Sequence, residues 1–324
     1  MTYDVVVVGA GPNGLAVHHA LAAEGLSVLS VDQVGVCHHL EGFPAGMVFF
    51  STAEKLTLDD TPMGDGEGTN PTLETGLAWY RDFAGRHALR VQGGRRLVGI
   101  DGSDGDFRLR FAAGEPISSR KVVMATGIFS QPNLLGVPGE GDASVSHYFR
   151  GAAGVAGERV LVVGCGNTAA EAALALLAEN EVTISYRGAA PNDRRVKPWV
   201  LPDLLAALAG PVRGLMPSQV RSLAAGVAIL ETEKGEERVP FDRAYLLTGY
   251  RPDRDLLERV GLTLEGPKAV PRHNPVTLES TKAGIYVAGA LLAGGDAHRV
   301  FIENGRLHGA PIAAHVKQTL ASVA

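Results

Sequence analysis

The sequence predicts an α/β protein made of two βαβ domains, the second inserted into the first. Three observations predict it. An apolar run, Val5 to Val8, passes into Gly9, Gly11 and Gly14 and then a helical pattern. A second run, Val160 to Val163, passes into Gly164, Gly166 and Ala169 and another helix. A late apolar run over 285–290, followed by a further helix, returns the chain to its first domain. Strand, glycine turn and helix in that order make the Rossmann-type unit that cradles a dinucleotide pyrophosphate. The expected boundaries are 1–130 with 248–324 for the first, discontinuous domain and 150–245 for the second.

Composition sets the outer limits. At 324 residues the chain exceeds the usual size of one core, which agrees with two domains. With 45% hydrophobic and 20% charged residues it reads as an ordinary globular protein, and its 41 glycines suit a fold with many tight turns. The net charge of -5 leaves no basic footprint for nucleic acid. No apolar run has membrane-spanning length, and the chain opens directly on a strand, so a cytoplasmic protein without a membrane partner is expected. Cys37 and Cys165 are the only cysteines and lie far apart, which excludes a C-x-x-C dithiol. The pairs His18-His19 and His38-His39 lack zinc spacing, so no metal is expected.

In the first unit each residue type has a physical task. Gly9 turns the chain out of the strand, Gly11 admits a pyrophosphate close to the backbone, and Gly14 lets helix and sheet pack. The helix N-terminus supplies N–H groups and partial positive charge. Asp32 closes the next strand at about the 20-residue spacing of the fingerprint. An acid there suits ribose hydroxyls and repels a 2′-phosphate, so FAD or NAD is preferred over NADP.

Beyond Asp32, Phe43-Pro44 and Met47 to Thr52 form an aromatic, hydroxyl-bearing loop suited to cover a flavin ring or, equally, to fill a core. Residues 59–71 read as an exposed loop. Leu73 to Arg86 is helical, with Leu73, Leu77, Tyr80 and Ala84 on one face. Short strands at 88–91, 97–101 and 107–111 suggest an antiparallel meander, and Lys121 to Met124 forms a strand that runs into Ala125-Thr126-Gly127. That turn belongs beside the first glycine loop.

The second unit differs at its tip. After the strand Val182 to Tyr186 the acid is missing and Arg187 stands in its place, with Arg194, Arg195 and Lys197 just beyond. A guanidinium makes charge-assisted, bidentate contacts with a 2′-phosphate. One acidic and one basic tip therefore indicate FAD first and NADPH second, the rings being brought together for hydride transfer. Gly164, Gly166, Asn167 and Thr168 form the nucleotide turn. Thr248 to Asp253 reads as the exit from this domain, and the last helix, opening at Phe301, points its positive N-terminus at the flavin.

Longer strings now make a resemblance specific. Phe49-Phe50-Ser51 with Glu54-Lys55-Leu56, Gly136 to Glu140, His147-Tyr148-Phe149, Tyr186-Arg187-Gly188, Lys197-Pro198-Trp199, Thr248-Gly249-Tyr250 and Phe301 to Arg306 are similar to the bacillithiol disulfide reductase family, within the thioredoxin reductase-like fold. The resemblance covers nearly the whole chain. It implies an FAD enzyme that uses NADPH to reduce a low-molecular-weight disulfide without a C-x-x-C pair. It also places Phe50, Ser51, Lys55, Thr126, Gly127, Gly289, Glu303 and Asn304 among the cofactor-binding residues. A small-molecule substrate and a homo-oligomer are expected.

Two departures stand out. Ala290 follows Gly289 where thioredoxin reductases carry an acid, as in the bacillithiol group. The family's first loop reads Gly-Pro-Cys-Gly, whereas this chain has Gly11-Pro12-Asn13-Gly14. An amide is no thiol nucleophile, so Asn13 is expected to hydrogen-bond flavin or substrate. Cys37 is the remaining candidate nucleophile, and Cys165, in the second glycine loop, is a small structural residue. A flavoprotein with another acceptor, such as oxygen, a quinone or a metabolite, stays open beside disulfide reduction, as does a non-catalytic flavin sensor.

Overall fold

The structure is a computed structural model that describes residues 1–296 and 299–322. The chain divides into two compact units, one comprising Met1–Glu41, Gly46–Gln131 and Tyr250–Ala324, the other Gly42–Ala45 and Pro132–Gly249.

In the first unit, Thr2–Val8 lies between Val28–Val31 and Ile117–Met124, all three parallel, with Val91–Gln92 parallel on the outer side of Val28–Val31. Val5 to Val8 are buried without alternation, because both faces of a central parallel strand are covered. Ile117–Met124 changes partner along its length. Its first half pairs antiparallel with Phe107 to Leu109 of the strand Asp106–Phe111, itself in a hairpin with Leu97–Ser103; its second half pairs parallel with Ile285–Val287. The helix Pro12–Ala23 starts with proline in its first turn, where the missing N–H costs nothing, and the chain leaves it through Gly25 at φ +78. Leu73–Arg86 forms as expected, with Thr72 accepting the Thr75 N–H as its cap.

The second unit holds a parallel sheet in the order Arg213–Leu215, Glu181–Ser185, Arg159–Val163, Arg243–Leu246, Val145–Ser146. Helices Asn167–Leu176 and Leu201–Leu208 pack on it around Val160, Val162, Ala172, Leu176 and Leu204. A separate antiparallel sheet, Ser218–Ser222, Val227–Thr232 and Gly235–Pro240, shares a core with the parallel sheet, where Leu223, Leu230 and Phe241 cluster with Leu161, Val163, Ala244 and Leu246.

Several expectations are corrected. The strand expected at 88–91 is reduced to Val91–Gln92, since Ala88 takes a left-handed turn, φ +48, just after the helix C-cap. The loop 59–71 is not wholly exposed: Met63 is fully buried, and the Trp79 indole donates to the carbonyls of Thr61 and Pro62. On Leu73–Arg86 the expected Leu73, Tyr80 and Ala84 are buried, together with Gly76, Trp79 and Phe83, while Leu77 lies at the margin of that face. The late strand stops at Val287, and Gly289–Ala293 coils into a 3-10 turn. The last helix is not continuous from Phe301: a single turn, Ile302–Gly305, and a 3-10 turn, Arg306–His308, precede Gly309–Ala321. Among the described residues no helix is long and apolar enough to cross a membrane, and no group of three His, Cys, Asp or Glu side chains is placed to hold a metal.

Candidate functional site: two glycine loops

Both loops are built alike. Gly9 leaves its strand at φ +109 and Gly164 at φ +121; a β-carbon would overlap the carbonyl oxygen of Ala125 at the first and of Leu247 at the second. A β-carbon on Gly14 would overlap the Gly9 carbonyl, and the small Ala169 is its buried counterpart. Gly11 and Gly166 differ from these. Each is a helix N-cap, neither helix end is capped by a side chain, and a β-carbon on either would meet nothing within 4 Å. The protein's own packing therefore demands the outer glycines. The middle ones border open space in front of uncapped N–H groups, where a pyrophosphate fits.

Asp32 is tied into the loop by backbone N–H groups on both sides. One carboxylate oxygen accepts the Ala10 N–H at 3.0 Å, inside the glycine loop, and the other accepts Val34 and Gly35 N–H at 2.9 and 3.1 Å. With about four lone-pair sites, the carboxylate keeps acceptor capacity for a hydroxyl while holding the loop in shape. Asp32→Ala is expected to weaken FAD retention about tenfold, the effect of losing roughly 1.4 kcal/mol of such bonds. Titration of apoprotein with FAD, followed by flavin fluorescence, checks this, and unchanged affinity would remove Asp32 from the site.

Asn13 lies in the first turn of the same helix, half-buried. Its Oδ1 is buried without a hydrogen-bond partner. A β-carbon on Gly289 would stand 2.9 Å from Asn13 Cβ, and one on Gly305 2.5 Å from Asn13 Nδ2, so two glycines make room for this amide. A buried carbonyl oxygen without a donor is costly, and a bound ligand would supply one. Gly289 donates its N–H to His308 Nδ1 at 3.0 Å. Burial, with His273 nearby, holds the His308 imidazole down at about 4, which keeps it neutral. His308 and Gly305 were missed in the sequence; only their place in and just after the Phe301 to Arg306 string hinted at them.

Around this end, Ser51 donates to Glu303 at 2.7 Å, tying the aromatic loop to the turn Ile302–Gly305. The two aromatics divide the roles left open for them: Phe49 is buried against Gly76, while Phe50 is 43% exposed. Lys55 is exposed, and Thr126 and Gly127 are half-buried, Gly127 at φ +65. The Asn304 amide is committed to its own backbone, accepting from Phe301 N–H and donating to the Arg299 carbonyl.

In the second unit Arg187, Arg194 and Arg195 are exposed, and among the described residues none has a carboxylate partner. Lys197 lies 5.8 Å over the Trp199 ring. Asn167 accepts the Lys197 N–H at 3.2 Å, and Thr168 is half-buried beside it.

Neither thiol has the surroundings of a nucleophile. Cys37 is 1% exposed, and burial together with the Asp32 charge pushes its thiol far above the ordinary range. It is a protonated packing residue whose N–H donates to the Ala10 carbonyl. Burial pushes Cys165 up to about 11.

Comparison with known proteins agrees with this geometry. Residues 6–289 match the family described as pyridine nucleotide-disulphide oxidoreductase. The chain is 30% identical over 314 residues to the bacilliredoxin reductase Bdr of Bacillus subtilis, covering 96% of each protein. The structure of bacillithiol disulfide reductase Bdr from Bacillus cereus superposes with a TM-score of 0.94 at 28% identity, covering 98% of this chain and 100% of that one. A ferredoxin–NADP reductase of Gluconacetobacter diazotrophicus is 28% identical over 311 residues, covering 90% of this chain and 85% of that protein. With two glycine loops whose middle positions open onto ligand space, and with the match running through both units, this chain belongs to the pyridine nucleotide-disulphide oxidoreductase family and is an FAD- and pyridine nucleotide-dependent oxidoreductase.

Proposed function

We propose that the first unit holds FAD, the second holds NADPH, and the enzyme reduces a low-molecular-weight disulfide of the bacillithiol type. The observation that carries the reading is the opposite charge at two otherwise matching loops: Asp32 at one strand end, Arg187 with Arg194 and Arg195 at the other. Similarity over 96% of the chain to a bacilliredoxin reductase supports the acceptor class. The chemistry supplied by bound FAD is acceptance of two electrons from a reduced nicotinamide and their release to a second acceptor. The chain's own part is to bind and orient: helix N-termini for the pyrophosphates, Asp32 for a ribose, Arg187 for the 2′-phosphate, and Asn13 Oδ1 as an acceptor at the first loop.

A second reading has an observation of its own. Asn13 replaces the family's loop cysteine, and both cysteines are buried and held protonated. These facts favour an acceptor that needs no protein thiol. The deciding experiment gives the purified protein NADPH and a panel of low-molecular-weight disulfides, quinones and oxygen. Protein that purifies without flavin and refuses added FAD would sink both readings.

Nucleotide choice is tested separately. Arg187→Glu is expected to cut the preference for NADPH over NADH by about 10- to 100-fold, the worth of a charge-assisted bond of about 1.5–3 kcal/mol. An unchanged preference would move phosphate recognition to Arg194, Arg195 or Lys197.

A further inference from the structure

The residue at the start of the second dinucleotide helix holds a segment well beyond it in the chain. Asn167 Oδ1 accepts the backbone N–H of Lys197, 30 residues further on, at 3.2 Å. The segment on the far side of the Lys197 bond is the basic loop. Asn192 folds it, accepting N–H groups of Arg194, Arg195 and Val196, and buried Val196 pins it to the core. The Asn167–Lys197 bond ties this loop to the first turn of the helix Asn167–Leu176.

We propose that Asn167 is a positioning residue for nucleotide selectivity: it docks the loop bearing Arg194, Arg195 and Lys197 against the helix end, so that these cations stand with Arg187 around a 2′-phosphate. The proposal rests on the NADPH reading above and adds the device that sets the loop. Sequence position suggests a direct cofactor contact for Asn167, and the two roles make different demands. A pyrophosphate contact serves NADH and NADPH alike, whereas a loop anchor matters only where a 2′-phosphate is present. The Asn167 Oδ1 is already committed to the Lys197 N–H, which favours the anchor.

The test measures KM for NADPH and for NADH on the flavin-loaded enzyme. Asn167→Ala is expected to raise KM for NADPH about tenfold, equivalent to about 1.4 kcal/mol, and to move that for NADH less than twofold. In a background of Arg194→Ala, Arg195→Ala and Lys197→Ala, adding Asn167→Ala should cost nothing more, because the cations it positions are gone. Equal losses for both nucleotides, or a full additional loss in the triple background, would overturn the anchor while leaving the function intact. A native enzyme with no preference for NADPH would instead overturn the reading beneath it. Thermal unfolding of each variant separates misfolding from mispositioning.

Discussion

Replacing Asn13 by cysteine is expected to raise turnover of low-molecular-weight disulfides on the order of 10- to 100-fold over a slow native rate. Position 13 sits in the first turn of a 12-residue helix whose N-terminus no side chain caps. The end of a helix lowers a thiol's pKa, and the thiolate, which an amide cannot imitate, is the species that attacks a disulfide. The smaller side chain also fits between Gly289 and Gly305, which already accommodate the asparagine. Steady-state NADPH oxidation against a bacillithiol-type disulfide checks the prediction. If the native protein is fast, and stays fast as Cys37→Ser and Cys165→Ser, no cysteine is needed and the premise fails. Loss of a fast rate on Cys37→Ser alone would show that this buried thiol becomes exposed during turnover.

The second large effect separates the two loops. Gly9→Ala places a β-carbon on the Ala125 carbonyl, and Gly164→Ala places one on the Leu247 carbonyl; both residues hold φ values that L-residues rarely adopt. Backbone cannot yield as a flexible side chain would, so each variant distorts its own loop. Gly9→Ala is expected to yield colourless protein. Gly164→Ala is expected to purify yellow, with KM for NADPH raised on the order of 100-fold, the consequence of losing about 3 kcal/mol of binding. Absorbance at purification and anaerobic NADPH titration read the two results. A colourless Gly164→Ala protein, folded by circular dichroism, would count against assigning one nucleotide to each unit.

What could be read from the sequence is what local chemistry dictates. The glycine loops were legible because strand, turn and helix follow within a dozen residues. Leu73–Arg86 was legible to its ends because Thr72 caps it and its apolar spacing is helical. The break at Arg306–His308 was not, since Gly305 is fixed by Asn13 almost the whole chain away and His308 by Gly289. Burial of Cys37 and Met63 was likewise hidden, since neither lies in a periodic apolar segment. The antiparallel sheet around Phe241 went unread because its strands lack a regular apolar–polar alternation and have no turn fingerprint as distinctive as a glycine loop. Asp32 was found by its spacing, but its grip on the Ala10 N–H appears only when loop and strand end are seen together.

The divided partnership of Ile117–Met124 has a consequence during synthesis. Its second half waits for Ile285–Val287, which leaves the ribosome about 160 residues later. At roughly 5–20 residues per second that is a delay of about 8–30 s, during which the edge of the strand has no mate. The whole stretch Pro132–Gly249 emerges inside that interval, contiguous and with its own cores. The inserted unit is thus able to finish folding while the unit that hosts it is still open along Val122 to Met124. During translation that exposed edge is the place where a chaperone, or a neighbouring nascent chain, would find a strand to pair with.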